Sequence, residues 1–222
     1  PDGPPGVDIS LIESPDIQTV GVGEATVPAM PRTLEQIGIS EAEVMTRCNA
    51  TFKLAVRFSD WDRDENNQPV EFLNSFDTDP PLQGRNLAAY YTRFGAQRNS
   101  AHAGHEFASC YSPVPDLIAQ RKGPRPTGLE EYAGSGTFAY HLDAGLFAGL
   151  LQEFTVARGV RHIRENVQDV EIDERGFVNA LQLEQSGRHP VELVIDCTGF
   201  RGLVINKALG EEFVSYGKYL MN

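Results

Sequence analysis

Cysteine and metal-ligand patterns are scarce in this sequence of 222 residues. The three cysteines are Cys48, Cys110 and Cys197. Their odd number and spacing disfavour a disulfide scaffold and a zinc site, so a reducing cytoplasm is the expected location. No carboxylate or cysteine completes a ligand set with His102, His105 and His141, so we expect no metal site.

Long apolar runs and positive charges are also scarce. No apolar run approaches the roughly 20 residues of a membrane-spanning helix, and no basic-then-apolar leader is present. Lys and Arg number 19 against 31 Asp and Glu, which gives a net charge of −12. Nucleic-acid surfaces need clustered basic residues. The sequence therefore predicts neither a membrane nor a nucleic-acid partner.

The regular elements that can be recognised predict an α/β fold. Alternating apolar residues indicate strands over 7–13 and 160–163, and a nearly continuous apolar run indicates a buried strand over 191–197. An apolar stripe predicts a helix over 143–158 that ends at Gly159. Residues 167–184 read as a hairpin with its turn at 174–176. We expect the three strands in one sheet beside the helix.

A fourth strand is predicted from the run "CNATFKLAVRFSDW", residues 48–61. Its apolar side chains alternate, and Lys53 lies on the opposite face from them. Thr33 and Ser40 each precede a Glu or Gln by three residues, which predicts two helix N-caps. The polar stretch 62–136 has few periodic runs and suggests an inserted substrate-binding region.

Three segments could contact a dinucleotide cofactor. Glu13 ends the first strand, where a carboxylate can bind a ribose hydroxyl, although many strands end this way. The glycine-rich segment Gly21–Thr26 and the turn Thr198–Gly202 allow a ligand to approach the main chain, or are ordinary turns. The G-x-G-x-x-G phosphate loop is absent, so we expect it upstream of residue 1, in a longer protein.

These motifs together resemble the flavin-dependent tryptophan halogenase family. The similar runs are "GVGEATVP", "CNATFKLAVRFSDW", "YHLDAGLFAGLL" and "DCTGFRGLVINKAL". The resemblance implies a glutathione-reductase-like FAD-binding fold that lacks its first βα phosphate-loop unit. It divides the chain into FAD-binding parts at 1–61 and 137–222 and an inserted substrate region at 62–136. The implied cofactor-binding residues are Glu13, Gly21, Gly23, Glu24, Ala25, Thr26, Val167, Thr198, Gly199, Phe200, Arg201 and Gly202.

The resemblance also implies a reaction. FAD enters as FADH2 from a separate flavin reductase, and with O2 it oxidises chloride or bromide to hypohalous acid. Lys53 matches the family's catalytic lysine, which either hydrogen-bonds the hypohalous acid or forms a haloamine. The product is a halogenated small aromatic molecule, and the family allows a homodimer.

The sequence departs from the family pattern at two places. The family's catalytic glutamate and its W-x-W-x-I-P segment would lie beyond residue 222, so the segment alone is expected to be inactive. In tryptophan-specific members this region carries a His-Pro-Phe-Gly run, whereas here it reads "NSFDTDPPLQGRNLAAYY", residues 74–91, with Phe76 as the only aromatic residue near the expected place. The expected substrate is therefore tryptophan or another indole or phenol.

Two other readings stay open at this stage. A flavin monooxygenase that hydroxylates its substrate would share the FAD features and would not need Lys53. An inactive partial chain would have the same motifs without the flanking ones. A phosphate loop upstream and W-x-W-x-I-P downstream would favour the halogenase.

Overall fold

The computed structural model describes residues 6–17, 24–95 and 107–220. The chain forms two compact units. The first unit consists of Pro1–Gln18 and Thr155–Asn222, and the second of Thr19–Phe154. The functional division at residues 61 and 136 stays a prediction, because compactness does not show which segment binds which ligand.

The strands are β1 (Ser10–Glu13), β2 (Thr51–Lys53), β3 (Ala55–Arg63), β4 (Pro69–Ser75), β5 (Ala139–His141), β6 (Arg161–Arg164), β7 (Val167–Ile172), β8 (Val178–Leu183) and β9 (Gly187–Pro190). The α-helices are α1 (Ala29–Ile37), α2 (Glu41–Arg47), α3 (Leu87–Tyr90), α4 (Val114–Ala119) and α5 (Ala144–Val156). Short 3₁₀ turns cover Phe107–Cys110 and Gly199–Arg201, and π-helical turns cover Tyr91–Gly95 and Leu203–Ala208.

The first unit contains a parallel strand pair and a three-stranded antiparallel sheet. β1 pairs with β6 in parallel, as predicted for 7–13 and 160–163. β7 and β8 form the predicted hairpin, and β9 extends it. The turn ends at Gly176, whose φ of +85° suits glycine. Side chains of β7, β8 and the 203–208 turn form the buried core of this unit.

The predicted buried strand at 191–197 is wrong. This segment has no regular secondary structure, and Leu193 and Ile195 are 82% and 81% exposed. Val191 and Val194 contact the core of the first unit, so only part of the apolar run is covered. Apolar composition favours a strand, but a strand also needs a neighbouring strand along its length. The N–H of Val191 donates to the Asn179 carbonyl at 3.0 Å, whereas residues 192–197 pair with no strand in the described part of the chain.

The second unit has a core between α1, α2, β5 and α5. Leu34, Val44, Tyr140 and Leu150 are among its fully or nearly fully buried side chains. The predicted helix after Asp143 is confirmed as α5, and the Asp143 carboxylate accepts the N–H of Leu146 at 2.9 Å. Its predicted packing beside the strands of the first unit stays a prediction.

Of the two predicted N-caps, one is confirmed and one is wrong. Ser40 caps α2 by accepting the N–H of Glu43, which confirms that cap. Thr33 does not cap a helix, because α1 already begins at Ala29 and the Thr33 hydroxyl donates to the Ala29 carbonyl inside it.

The predicted strand over 48–61 is interrupted at Leu54. β2 pairs antiparallel with β5, whereas β3 pairs with β4 in a hairpin. The alternation of apolar residues continues through the break, so the sequence could not show that the partner strand changes there. The polar region after it also contains β4, α3 and α4, whose patterns are too short to recognise.

Candidate functional site

Lys53 ends β2, with its side chain partly buried. Its ammonium nitrogen Nζ donates to the main-chain carbonyl of Thr26 at 3.0 Å. The same nitrogen lies 5.4 Å from the centre of the Phe76 ring, within range of a cation–π interaction. The ammonium therefore has a fixed acceptor on one side and an aromatic face on another.

Residues 24–26 run antiparallel along the edge of β5. The N–H of Leu142 donates to the carbonyl of Glu24 at 2.9 Å, and the N–H of Thr26 donates to the carbonyl of Tyr140 at 2.8 Å. The Thr26 hydroxyl donates to the same carbonyl and accepts the N–H of Tyr140. Because β2 pairs with β5 as well, Lys53 and Thr26 are both anchored to this central strand. The structure thus brings the predicted catalytic lysine against the end of the predicted glycine-rich segment.

A buried ion pair lies within the same unit. Glu41 is 1% exposed; its carboxylate pairs with Arg125 and accepts the hydroxyl of Tyr140 at 2.6 Å and the N–H of Tyr132 at 2.8 Å. Burial, together with the adjacent Glu41 carboxylate, raises the pKa of Tyr140 far above its ordinary value and that of Tyr132 to about 12. The Arg125 guanidinium also lies 5.7 Å from the Phe52 ring centre, next to Lys53 in β2.

The segment that carries Phe76 is held by its neighbour Asp77. The Asp77 carboxylate accepts hydrogen bonds from the Ser112 hydroxyl and the Thr137 N–H, the latter at 2.7 Å. Burial alone would raise the pKa of Asp77, but these hydrogen bonds outweigh it and lower the pKa. A groove of about 540 Å³ opens beside Asp77, and neither Lys53 nor Phe76 lines it.

In the first unit, Glu13 lies at the carboxyl end of β1 with its side chain 48% exposed. Nε2 of His162 lies 2.9 Å from the Glu13 carboxylate, and Nε of Arg164 lies 3.8 Å from it. Val167, another predicted cofactor-binding residue, begins β7 and packs against the core of this unit. Glu13 is therefore placed as the strand-end reading predicts, and its role stays a prediction.

The turn Thr198–Gly202 is organised by Asp196. Its carboxylate accepts the N–H groups of Thr198 at 3.0 Å and Val204 at 2.9 Å, and the Thr198 hydroxyl at 2.6 Å. Gly199 and Gly202 have φ values of +63° and +50°, which glycine adopts without strain. The Phe200 side chain on this turn is 96% exposed.

Asp196 and Glu41 were missed as organising residues. An Asp followed two residues later by Thr and then Gly is typical of an Asx turn, so Asp196 could have been found. Glu41 reads as an ordinary first-turn acidic residue, and its partner Arg125 is far along the chain. Gly21, Gly23, His102 and His105 lie outside the described residues.

Within residues 6–17, 24–95 and 107–220, no group of three or more His, Cys, Asp or Glu side chains could hold a metal ion. In that same part of the chain, no helix is both long enough and apolar enough to cross a membrane.

Comparison with known proteins decides the family. The family model described as "Tryptophan halogenase" matches residues 3–222. The chain belongs to the tryptophan halogenase family. A tryptophan 6-halogenase from Streptomyces toxytricini is 36% identical over 97% of this chain, and a tryptophan 7-halogenase from Lentzea aerocolonigenes is 33% identical over 97%. The chain spans 43% and 42% of the lengths of these halogenases.

Solved halogenase structures resemble the chain over most of its length. A tryptophan halogenase from Shewanella frigidimarina has a TM-score of 0.82 at 33% identity and covers 94% of this chain and 39% of its own. A flavin-dependent halogenase from Brevundimonas sp. BAL3 has a TM-score of 0.76 at 32% identity, covering 96% and 41%. The α/β prediction is confirmed at the level of this halogenase fold. The missing phosphate-loop unit and the inserted region stay predictions.

Proposed function

We propose that the intact protein is a flavin-dependent halogenase that uses Lys53 to halogenate an electron-rich aromatic molecule. The carrying observation is the Lys53 ammonium, held 3.0 Å from the Thr26 carbonyl and beside the Phe76 ring. A solvated lysine on a strand would have neither partner. Membership of the family supplies the reaction class, and this geometry supplies a candidate for the halogen-transfer step.

Each unit contains residues whose chemistry suits a flavin contact. Glu13 offers a half-exposed carboxylate at the end of a parallel strand, as a ribose hydroxyl requires. The turn Thr198–Gly202 is prearranged by Asp196 and leaves Phe200 exposed for contact. Main chain of Glu24 and Ala25 is a further candidate contact. When bound, FADH2 from a flavin reductase would give two electrons to O2, and the resulting peroxide-level oxidant would convert chloride or bromide to hypohalous acid with release of water.

Lys53 would act on the hypohalous acid. Its ammonium can donate a hydrogen bond to the hypohalous oxygen, which makes the halogen more electrophilic. The halogen then bonds to an aromatic carbon, and the oxygen leaves as water with the proton that the ring loses. Alternatively, the neutral amine of Lys53 takes the halogen from hypohalous acid with loss of water, which gives a haloamine. The aromatic carbon then takes the halogen from nitrogen, and the proton that the ring loses restores the amine. Both routes need a compact amine, which arginine cannot replace.

The aromatic substrate is tryptophan or another indole or phenol. The Phe76 ring centre lies 5.4 Å from the ammonium nitrogen, so an electron-rich ring beside Phe76 would face Lys53. The region 74–91 lacks the His-Pro-Phe-Gly run that accompanies tryptophan in the family, so the substrate is tested with a panel of indoles and phenols.

The test is Lys53→Ala and Lys53→Arg in the intact enzyme. Both should lose halogenated product by at least about 10²-fold, because the group that acts on hypohalous acid is gone. Oxygen uptake with FADH2 should continue, since flavin oxidation does not use Lys53. The readouts are product from the substrate panel by mass spectrometry and oxygen consumption.

The matched control is Lys122→Ala, an exposed lysine of the same unit, which should keep both activities. Halogenation by Lys53→Ala at near wild-type rate would refute the proposal. A hydroxylated product that forms equally well with and without Lys53 would instead identify a monooxygenase.

A further inference from the structure

Every polar group of Thr26 is engaged within the protein. Its N–H donates to the Tyr140 carbonyl at 2.8 Å, and its hydroxyl Oγ1 donates to the same carbonyl at 3.0 Å. The hydroxyl also accepts the N–H of Tyr140 at 2.9 Å. The Thr26 carbonyl accepts from Lys53 Nζ. The hydroxyl therefore uses its donor and one of its two acceptor lone pairs within the protein.

The hydroxyl replaces the carbonyl in a strand pair. Opposite residues of a hydrogen-bonded antiparallel pair normally exchange both N–H···O=C bonds. Thr26 and Tyr140 make the first of these bonds. In place of the second, the Tyr140 N–H bonds to the Thr26 hydroxyl, which leaves the Thr26 carbonyl for the Lys53 ammonium.

The Tyr140 N–H is buried, so it must find another acceptor if the Thr26 hydroxyl is removed. Tyr140 is fully buried, and a buried N–H group needs an acceptor. If Thr26 lost its hydroxyl, the nearest substitute for the Tyr140 N–H would be the Thr26 carbonyl itself. The ammonium of Lys53 would then lose or share its acceptor, and its flexible four-carbon stem would gain freedom.

We propose that Thr26 is the positioning residue of Lys53 and that its hydroxyl keeps the Thr26 carbonyl available to the ammonium. This inference rests on the proposed function for its catalytic meaning. It assigns the Thr26 side chain to the lysine, whereas sequence reasoning placed this residue among the flavin contacts. The geometric part concerns only Thr26, Tyr140 and Lys53.

The decisive variants are Thr26→Val and Thr26→Ser. Valine keeps the shape of threonine and removes the hydroxyl, whereas serine keeps the hydroxyl and removes a methyl group. The first readout is the rate at which trace acetic anhydride acetylates Lys53 in the intact flavoprotein, followed by peptide mass spectrometry. We expect Thr26→Val to increase this rate by about threefold or more, because the ammonium of Lys53 is released from its acceptor. Thr26→Ser should react at nearly the wild-type rate.

Thr33 provides a matched control in the same unit. Its exposed hydroxyl donates to the Ala29 carbonyl within α1, and this bond is not part of the pairing between residues 24–26 and β5. Thr33→Val should leave the acetylation rate of Lys53 unchanged. A rise in that variant would mean that any lost threonine hydroxyl loosens the unit, and the positioning role would be overturned.

The second readout is halogenated product per oxygen consumed. Thr26→Val should lower this ratio by about tenfold or more, since small misplacements of a reacting group are costly, and Thr26→Ser should restore it. Flavin affinity should be the same for the valine and serine variants. Weaker flavin binding by Thr26→Val with unchanged Lys53 acetylation would overturn the inference and return the hydroxyl to the cofactor.

The two proposals fail separately. If Lys53→Ala still halogenates, the proposed function falls, while altered acetylation in Thr26→Val would still support the positioning of the amine. If acetylation and product ratio are unchanged in Thr26→Val, Thr26 does not position Lys53, whatever the role of the lysine.

Discussion

Two regions of the molecule differ in how they are held in place. One is the surroundings of Lys53 in the second unit, and the other is the turn after Asp196 in the first unit. Lys53 and Thr26 are anchored to β5, where Tyr140 is fully buried and bonds to the buried Glu41. The turn instead depends on one partly exposed carboxylate that accepts several N–H groups.

The difference predicts how each region responds to change. A buried frame with an ion pair is sensitive to the loss of either charge, because the remaining charge is uncompensated in a poorly solvated place. A turn held by a partly exposed carboxylate is sensitive to protonation and tolerant of changes in its outward-facing side chains. Three substitutions test this contrast.

The largest effect is expected from Arg125→Met. It removes the partner of Glu41, whose side chain is 1% exposed, and leaves that carboxylate buried with only neutral donors. Breaking a buried pair in this way costs about 3–5 kcal/mol. Urea unfolding of the intact protein measures the change in free energy of unfolding.

Arg57→Met is the matched control for that loss. Arg57 pairs with Glu71 across the β3–β4 hairpin, and the two side chains are 51% and 49% exposed. Exposed pairs contribute about 0–1 kcal/mol. Equal losses for the two variants would contradict the view that the second unit depends on its buried pair.

A smaller, pH-dependent effect is expected from Asp196→Asn. Burial by itself raises the pKa of Asp196, but hydrogen bonds from Thr198, Ile205 and Val204 outweigh it and lower the pKa from 3.8 to about 2. The depressed pKa means that the carboxylate stabilises the folded state above about pH 4 and loses this contribution as the pH falls through about 2. Allowing for solvent screening, the variant should lose about 1–2 kcal/mol at neutral pH.

The measurement is urea unfolding of wild type and variant between pH 7 and pH 3. The difference between the two proteins should be constant above about pH 4 and shrink below it. A difference that does not depend on pH would show that the shape of Asp196, and not its charge, holds the turn.

Local signals in the sequence were sufficient for several elements. The helix after Asp143 and the hairpin at 167–184 are marked by an apolar period and by Gly159 and Gly176 at the required positions. Lys53 could be singled out because it matches a family motif. In each case the information lies within a few residues of the element.

Other features depend on contacts that local patterns do not contain. The apolar run 191–197 reads as a strand, yet strand formation depends on a partner elsewhere. The pairing of Glu41 with Arg125 and of Thr26 with Tyr140 joins distant parts of the chain. The exchange of hydroxyl for carbonyl at Thr26 is visible only once the strand register is known.

The smallest effect on stability is expected from Phe200→Ala, which tests whether the turn tolerates loss of an outward-facing side chain. Phe200 is 96% exposed, so its removal should change the free energy of unfolding by less than about 0.5 kcal/mol.

If the proposed flavin contact is right, the same substitution should weaken flavin binding by the intact protein by about threefold to tenfold, since an aromatic contact contributes about 0.5–1.5 kcal/mol. Fluorescence titration with FAD measures it. Phe177→Ala, which removes a ring that is 61% exposed at the β7–β8 turn, is the control and should bind FAD normally. Unchanged FAD affinity in Phe200→Ala would remove this residue from the cofactor site, and a large loss of stability would show that its ring is covered in the intact protein.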